Sequence, residues 1–152
     1  MRSGRIVGVN VSAGRGTTKV NVGSGSLVAD YGLSGDAHAG TDRQVSVFTA
    51  EKAKELACRL GIDVQPGDFA ENITVAGIDF SEVVPGARLF LGEAVVEVTG
   101  IGKRKGETHT FSFHGLAPLM TEGLYCRVVT GGPDREGDRA GFLRDCSDLT
   151  KW

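Results

Sequence analysis

The chain has 152 residues, 17 Lys and Arg against 19 Asp and Glu, and a formal net charge of −2. That length matches one ordinary domain, able to bury a core without disulfides or a structural metal, and the charge offers no general attraction to nucleic acid or to an anionic membrane. No apolar run reaches the length of a membrane span or a secretory leader, so a cytoplasmic location is expected; three widely spaced cysteines, Cys58, Cys126 and Cys146, make neither a disulfide framework nor a thiolate zinc site.

Glycine is the outlier, with 23 copies spread along the chain. That density requires many turns and positive-φ positions, and so a mainly β fold of short strands. Arg5 to Val11 alternates around Ile6, Val7 and Val9, and Thr17 to Val22 does so around Val20 and Val22. With SAGRG between them they predict an opening hairpin. Residues 24–42, SGSLVADYGLSGDAHAGTD, are rich in glycine and aspartate with little periodicity and read as a loop, after which RQVSVF, from Arg43 to Phe48, alternates as a strand.

Thr49 is then a good N-cap for AEKAKELACRL. Glu51 lies in the first turn, Ala53, Leu56, Ala57 and Leu60 form an apolar stripe, and Gly61 ends the helix. Cys58 sits one position off that stripe and reads as half-buried. Residues 65–102 hold short apolar runs separated by PG, AG, PG and GE, and read as repeated short strands. Within them ARLFLGEAVVEVTGIG predicts strand, Gly-Glu turn, strand, with Leu89 and Leu91 facing Val95 or Val96. That hairpin delivers Lys103 into IGKRKGETHTFSFHG, residues 101–115, a turn-rich loop. Beyond it FHGLAPLMTEG is expected to hold a short helix, Leu124 to Val129 a strand, and GGPDREGDRA a closing turn. The whole reads as one domain over residues 1–142 with a tail at 143–152.

Four stretches are polar where a plain β domain would not need it: GDAHAGTDRQ at 35–44, GDFAENIT at 67–74, the 101–115 loop, and Tyr125-Cys126-Arg127. Each alone carries little, because a glycine-flanked Asp or Asn is more often a turn-former and a lone loop histidine more often solvated. In combination they point to two chemistries. Lys103, Arg104 and Lys105, with Arg43 and Arg127, can converge into a cationic pocket for phosphate or carboxylate. His38, His109 and His114, with Glu71, make a donor set suited to a borderline metal such as zinc, although H-x4-H is not helix-face spacing and loop spacing does not diagnose a site. Thiol chemistry through Cys126 is disfavoured, since alternation turns it to the core if Arg127 faces a ligand.

In this order the polar stretches resemble the MOSC domain family, named for the C-terminal domain of molybdenum cofactor sulfurases. The matching pieces are GLSGDAHAG at 32–40, RQVSVFTAE at 43–51, the run from Leu60 to Lys103, and MTEGLYCRVVTGG with PDREGDR at 120–139. The resemblance implies a MOSC-type β-barrel with a few short helices and an association with molybdenum cofactor handling, by sulfur carriers or by cofactor-binding parts of reductases. It lays the family's GDxHAG motif on Gly35, Asp36, His38, Ala39 and Gly40, its Arg-Gln strand start on Arg43 and Gln44, and its Glu-Asn pair on Glu71 and Asn72. The family commonly carries a cysteine after IGK. Here Arg104, Lys105 and Gly106 stand at those positions, and no cysteine lies between Cys58 and Cys126. Persulfide carriage requires a thiolate, so this loop is not expected to carry sulfur, and two histidines occupy the segment that lacks the thiol.

Two functions follow. In the first the chain is an enzyme of lyase or hydrolase type. A zinc or manganese ion sits on His38, His109 and His114, with Glu71 and His38 as the catalytic pair and Glu71 the acid/base. Arg43, Asn72, Lys103 and Arg127 hold a small anionic substrate. A sulfur-containing substrate and carbon–sulfur bond cleavage follow from the family association alone. In the second it is an accessory protein that binds the molybdenum cofactor through the pterin phosphate, or a sulfur carrier. Neither function involves nucleic acid or a membrane.

Overall fold

The computed structural model describes residues 3–102 and 112–143. In chain order the elements are β1 (Ser3–Val11), β2 (Val20–Asn21), β3 (Ser24–Val28), β4 (Gly32–Leu33), β5 (Val45–Thr49), α1 (Ala50–Leu60), β6 (Ile73–Ala76), β7 (Arg88–Leu91), β8 (Ala94–Ile101), β9 (Leu124–Thr130), β10 (Gly132–Arg135) and β11 (Arg139–Phe142). Seven strands close into a barrel in the order β11-β7-β8-β9-β5-β6-β1, with β11 returning to β1. Its pairs are antiparallel except β5 with β6, which run parallel because α1 carries the chain back over the barrel between them. The closed sheet leaves no barrel edge unpaired, and Ile6, Val45, Val47, Val75, Leu89 and Val128 fill its interior with no exposed surface.

α1 forms as its sequence requires. The Thr49 hydroxyl accepts from the Lys52 N–H at 3.3 Å, and Gly61 takes a left-handed conformation that returns its N–H to the last carbonyls. Ala53 and Ala57 face inward, over a second cluster in which Phe48 and Phe69 meet edge to face at 6.1 Å. With barrel on one side and helix on the other, all five residues of β5 are buried. The β7–β8 hairpin turns at Gly92-Glu93 and pairs Leu89 with Val96, as predicted, while Leu91 faces Ala94 in place of Val95 or Val96.

Several sequence expectations are corrected. Residues 24–42 hold β3 and β4, which with β10 make a separate three-stranded sheet. The segment read as a closing turn supplies β10 and β11, with the reversal confined to Glu136-Gly137, and β11 is the strand that closes the barrel. The helix expected in FHGLAPLMTEG is a single 3-10 turn at Pro118–Met120, and Cys58 is exposed rather than half-buried. Beyond Leu143 the expected tail lies outside the described residues. Among the described residues no helix is long and apolar enough to cross a membrane.

Candidate functional site

The β1–β2 hairpin brings Lys19 against the glycine-rich loop that follows β4. Gly35 and Gly40, at φ of 86° and 79°, let that loop double back, and Asp36 holds it in place. Oδ2 of Asp36 accepts from the His38 main-chain N–H at 3.0 Å, an Asx turn, while Oδ1 accepts from the Ser12 N–H at 3.1 Å and from Lys19 Nζ at 2.7 Å. The Lys19 and Asp36 side chains are 1% and 0% exposed. Burial by itself would raise the Asp36 carboxyl, but contacts with His38 and Lys19 outweigh it and hold the carboxyl well below the usual carboxylate range. Lys19 Nζ also reaches Ser12 Oγ at 3.0 Å and His38 Nδ1 at 3.3 Å, and the His38 side chain remains 29% exposed.

Asn72 joins this network. Its Oδ1 accepts from the Ser46 N–H at 3.0 Å, its Nδ2 donates to Asn10 O at 3.3 Å, and it contributes to holding Asp36 low. Glu71, one residue earlier, is 1% exposed. It lines a cavity of about 390 Å³ between α1 and the outer barrel wall, with Arg5, Lys54 and Gln65 among the other lining residues. Burial raises its carboxyl; Thr74 Oγ1 donates to Oε2 at 2.7 Å, and Oε1 has no aligned donor among the described residues. Lys19, Asp36 and His38 do not line that cavity. The Glu71 carboxyl, expected beside His38 as acid/base, thus lines the cavity under α1, while the Asn72 side chain bonds Ser46 and Asn10.

Two of the expected cations, Arg43 and Arg127, fall on described residues. Arg127 is matched by two carboxylates, Glu97 Oε1 and Asp30 Oδ1, each at 3.3 Å. The Arg43 guanidinium lies 5.6 Å from the Tyr125 ring centre, on the outward face of β9 that Tyr125 and Arg127 share. Lys103 and His109 lie outside the described residues. His114 is exposed, has a positive φ of 50°, and its ring meets Phe113 edge-on at 4.5 Å. Among the described residues no three histidines, cysteines or carboxylates stand together as a metal site.

Neither described thiol stands at the His38 loop. Cys126 points into the barrel, as the alternation of β9 dictates, and burial pushes its thiol far up; Cys58 is exposed on α1. Persulfide carriage and sulfur ligation of a metal need a thiolate, and among the described residues no cysteine lies beside His38.

Lys19 is the site residue that sequence reading missed. A single lysine after SAGRGTT carries no local sign of burial, because its partner lies in another loop. The available signal was pairwise: a hairpin ending close to an aspartate-histidine motif that needs a counter-charge.

The fold and part of the sequence have known relatives. The YuaD protein of Bacillus subtilis aligns with a TM-score of 0.71 and 17% identity over 92% of this chain and 95% of its own. YiiM from Escherichia coli aligns at 0.64 and 22%, over 95% of this chain and 71% of its own; YiiM from Geobacillus stearothermophilus aligns at 0.64 and 20%, over 93% and 73%. At these identities the likeness is one of fold. No curated protein sequence matches the chain significantly. The family model described as the MOSC domain matches residues 34–140, the span that runs from the Asp36-His38 loop to the strand closing the barrel, and the chain belongs to the MOSC domain family.

Proposed function

We propose that the chain binds a small anionic molecule at the His38 loop, presenting the imidazole N–H to an oxyanion such as phosphate, carboxylate or a sulfur oxyanion. The supporting observation is that His38 is the solvent-facing end of a buried polar chain running through Asp36 and Lys19. A buried ion pair is a poor source of stability, and apolar side chains of similar size often serve a fold as well. One that ends on a part-exposed imidazole is suited to holding that ring for a ligand. Arg43 follows in the same loop, where its N–H bonds Thr41 Oγ1 at 3.1 Å and Thr41 Oγ1 bonds His38 O at 2.7 Å. The pterin phosphate of the molybdenum cofactor belongs to this ligand class; sulfur carriage does not.

A second reading keeps the enzyme, with zinc or manganese on His38, His109 and His114 and a sulfur-containing substrate cleaved at carbon–sulfur. One distance favours it: Asp36 Oδ2 lies 3.6 Å behind His38 Nδ1, where a carboxylate commonly orients a metal-binding imidazole. Titration with inorganic phosphate and thiosulfate, followed by NMR at the His38 ring, separates the readings when paired with elemental analysis of untagged protein. Saturable shifts of the His38 ring in metal-free protein, with calorimetric binding of the same anion lost in His38→Ala, support oxyanion binding. Stoichiometric zinc or manganese that is lost on replacing His38, with no response to either anion, replaces it with the metal reading.

A further inference from the structure

We propose that Lys19 is a positioning residue that fixes the tautomer of His38, so that the imidazole meets a ligand as an N–H donor and not as a metal-binding lone pair. The inference rests on the oxyanion reading and deepens it. An ammonium has three N–H bonds and accepts none. Around Lys19 Nζ stand three acceptors, Asp36 Oδ1 at 2.7 Å, Ser12 Oγ at 3.0 Å and His38 Nδ1 at 3.3 Å. Ser12 gives its own proton to Gly14 O at 2.9 Å, so it meets the lysine through a lone pair. The contact with His38 is a hydrogen bond only when Nδ1 carries a lone pair. A neutral imidazole in that state bears its proton on Nε2.

The rival partner for Nδ1 is Asp36 Oδ2. It lies at 3.6 Å, beyond hydrogen-bond range, and already accepts the His38 main-chain N–H. Lys19 has little freedom to leave, since its side chain is 1% exposed and its own N–H is bound to Gly67 O at 2.9 Å. Without the ammonium, the nearest partner for Nδ1 is the Asp36 carboxylate, which can only accept; the proton then moves to Nδ1 and Nε2 turns a lone pair outward. The same histidine would become a metal ligand. Lys19 therefore selects between the two chemistries that His38 can support.

Proton–nitrogen long-range correlation spectra of protein carrying isotope-labelled histidine read this directly, with no ligand present. In the wild type His38 should show a pyrrole-like Nε2 and a pyridine-like Nδ1; in Lys19→Met the two should exchange, and added zinc should then shift Nε2 of the variant and leave the wild type unmoved. Asp36→Asn, which keeps the lysine, should retain the wild-type pattern. A pyrrole-like Nδ1 in the wild type, an unchanged pattern in folded Lys19→Met, or an exchanged pattern in Asp36→Asn overturns the proposal. Should neither variant fold, the wild-type spectrum still decides it, since a pyrrole-like Nδ1 overturns the proposal and a pyridine-like Nδ1 beside the Lys19 ammonium supports it. Failure to bind phosphate or thiosulfate would sink the oxyanion reading and leave the tautomer result standing.

Discussion

Lys19 Nζ stands 2.7 Å from Asp36 Oδ1, and the two side chains are shut away from solvent. Removing one partner leaves the other as an uncompensated buried charge. Lys19→Met is expected to cost about 3–5 kcal/mol of folding stability in chemical denaturation. Lys19→Met with Asp36→Leu should recover only part of that loss, because it removes the unpaired charge but leaves the Ser12 and His38 N–H groups without their acceptor. A double variant no more stable than the single one would show that the charges hold the loop by more than their mutual attraction.

Asp134 on β10 is fully buried, and neither carboxylate oxygen has a hydrogen-bond partner among the described residues. It packs by Gly25, whose other neighbours are Leu33 and Val9. Burial, with repulsion from Asp138, pushes its carboxyl up to about 6 from an ordinary 3.8. The folded state thus keeps a proton that the unfolded chain gives up, so Asp134 makes stability fall as pH rises from about 4 to about 6 and leaves it flat above. Asp134→Val should remove that fall and gain about 3 kcal/mol at pH near 7, with little difference at pH near 4. Equal stabilities of the two proteins at neutral pH would mean that the carboxylate finds compensation.

Cys126 faces the barrel core from β9, and its thiol is held protonated by burial. Iodoacetamide should label the Cys58 peptide quickly and the Cys126 peptide only as the barrel opens; an opening of about 4 kcal/mol slows it roughly a thousandfold. Peptide mapping by mass spectrometry checks this. Rapid native labelling of Cys126 would reopen thiol chemistry at this strand.

The parts of the fold legible in the sequence are those whose cause is local. Thr49 and Gly61 bracket α1 through bonds to their own neighbours, and Gly92-Glu93 turns a hairpin whose strands are adjacent in the chain. The three-stranded sheet was not legible, because β3 is Gly- and Ser-rich and pairs Ser24 with Arg135 from the far end of the chain. The same division holds at the site. His38, Asp36 and Asn72 stand in the family's motifs and so could be singled out as candidates, whereas Lys19 has meaning only once the hairpin and the loop are folded together. Glu71 and Asn72, adjacent in the chain, carry their side chains to different partners, Thr74 for the carboxyl and Ser46 with Asn10 for the amide, which adjacency in sequence does not show.

Gly67 supports Lys19 from the other side. Its carbonyl accepts the Lys19 N–H at 2.9 Å, its φ is 93°, and a Cβ there would stand 2.4 Å from Lys19 O. Alanine at this position meets two penalties, a left-handed backbone that L side chains resist and a main-chain clash that only movement of Lys19 or Gly67 can relieve. Gly86 separates them, for its φ is 96° but nothing lies within 4 Å of a Cβ there. Gly86→Ala should therefore show backbone strain alone, about 1–3 kcal/mol. Gly67→Ala should cost more, and it should also disturb the His38 ring resonances, because displacing Lys19 lengthens the contact that places the proton on Nε2. Thermal melts with the histidine spectra of both variants test this pairing. If Gly67→Ala matched Gly86→Ala in stability and left His38 unchanged, the lysine would be held by its ion pair alone and the close approach of Gly67 would be incidental.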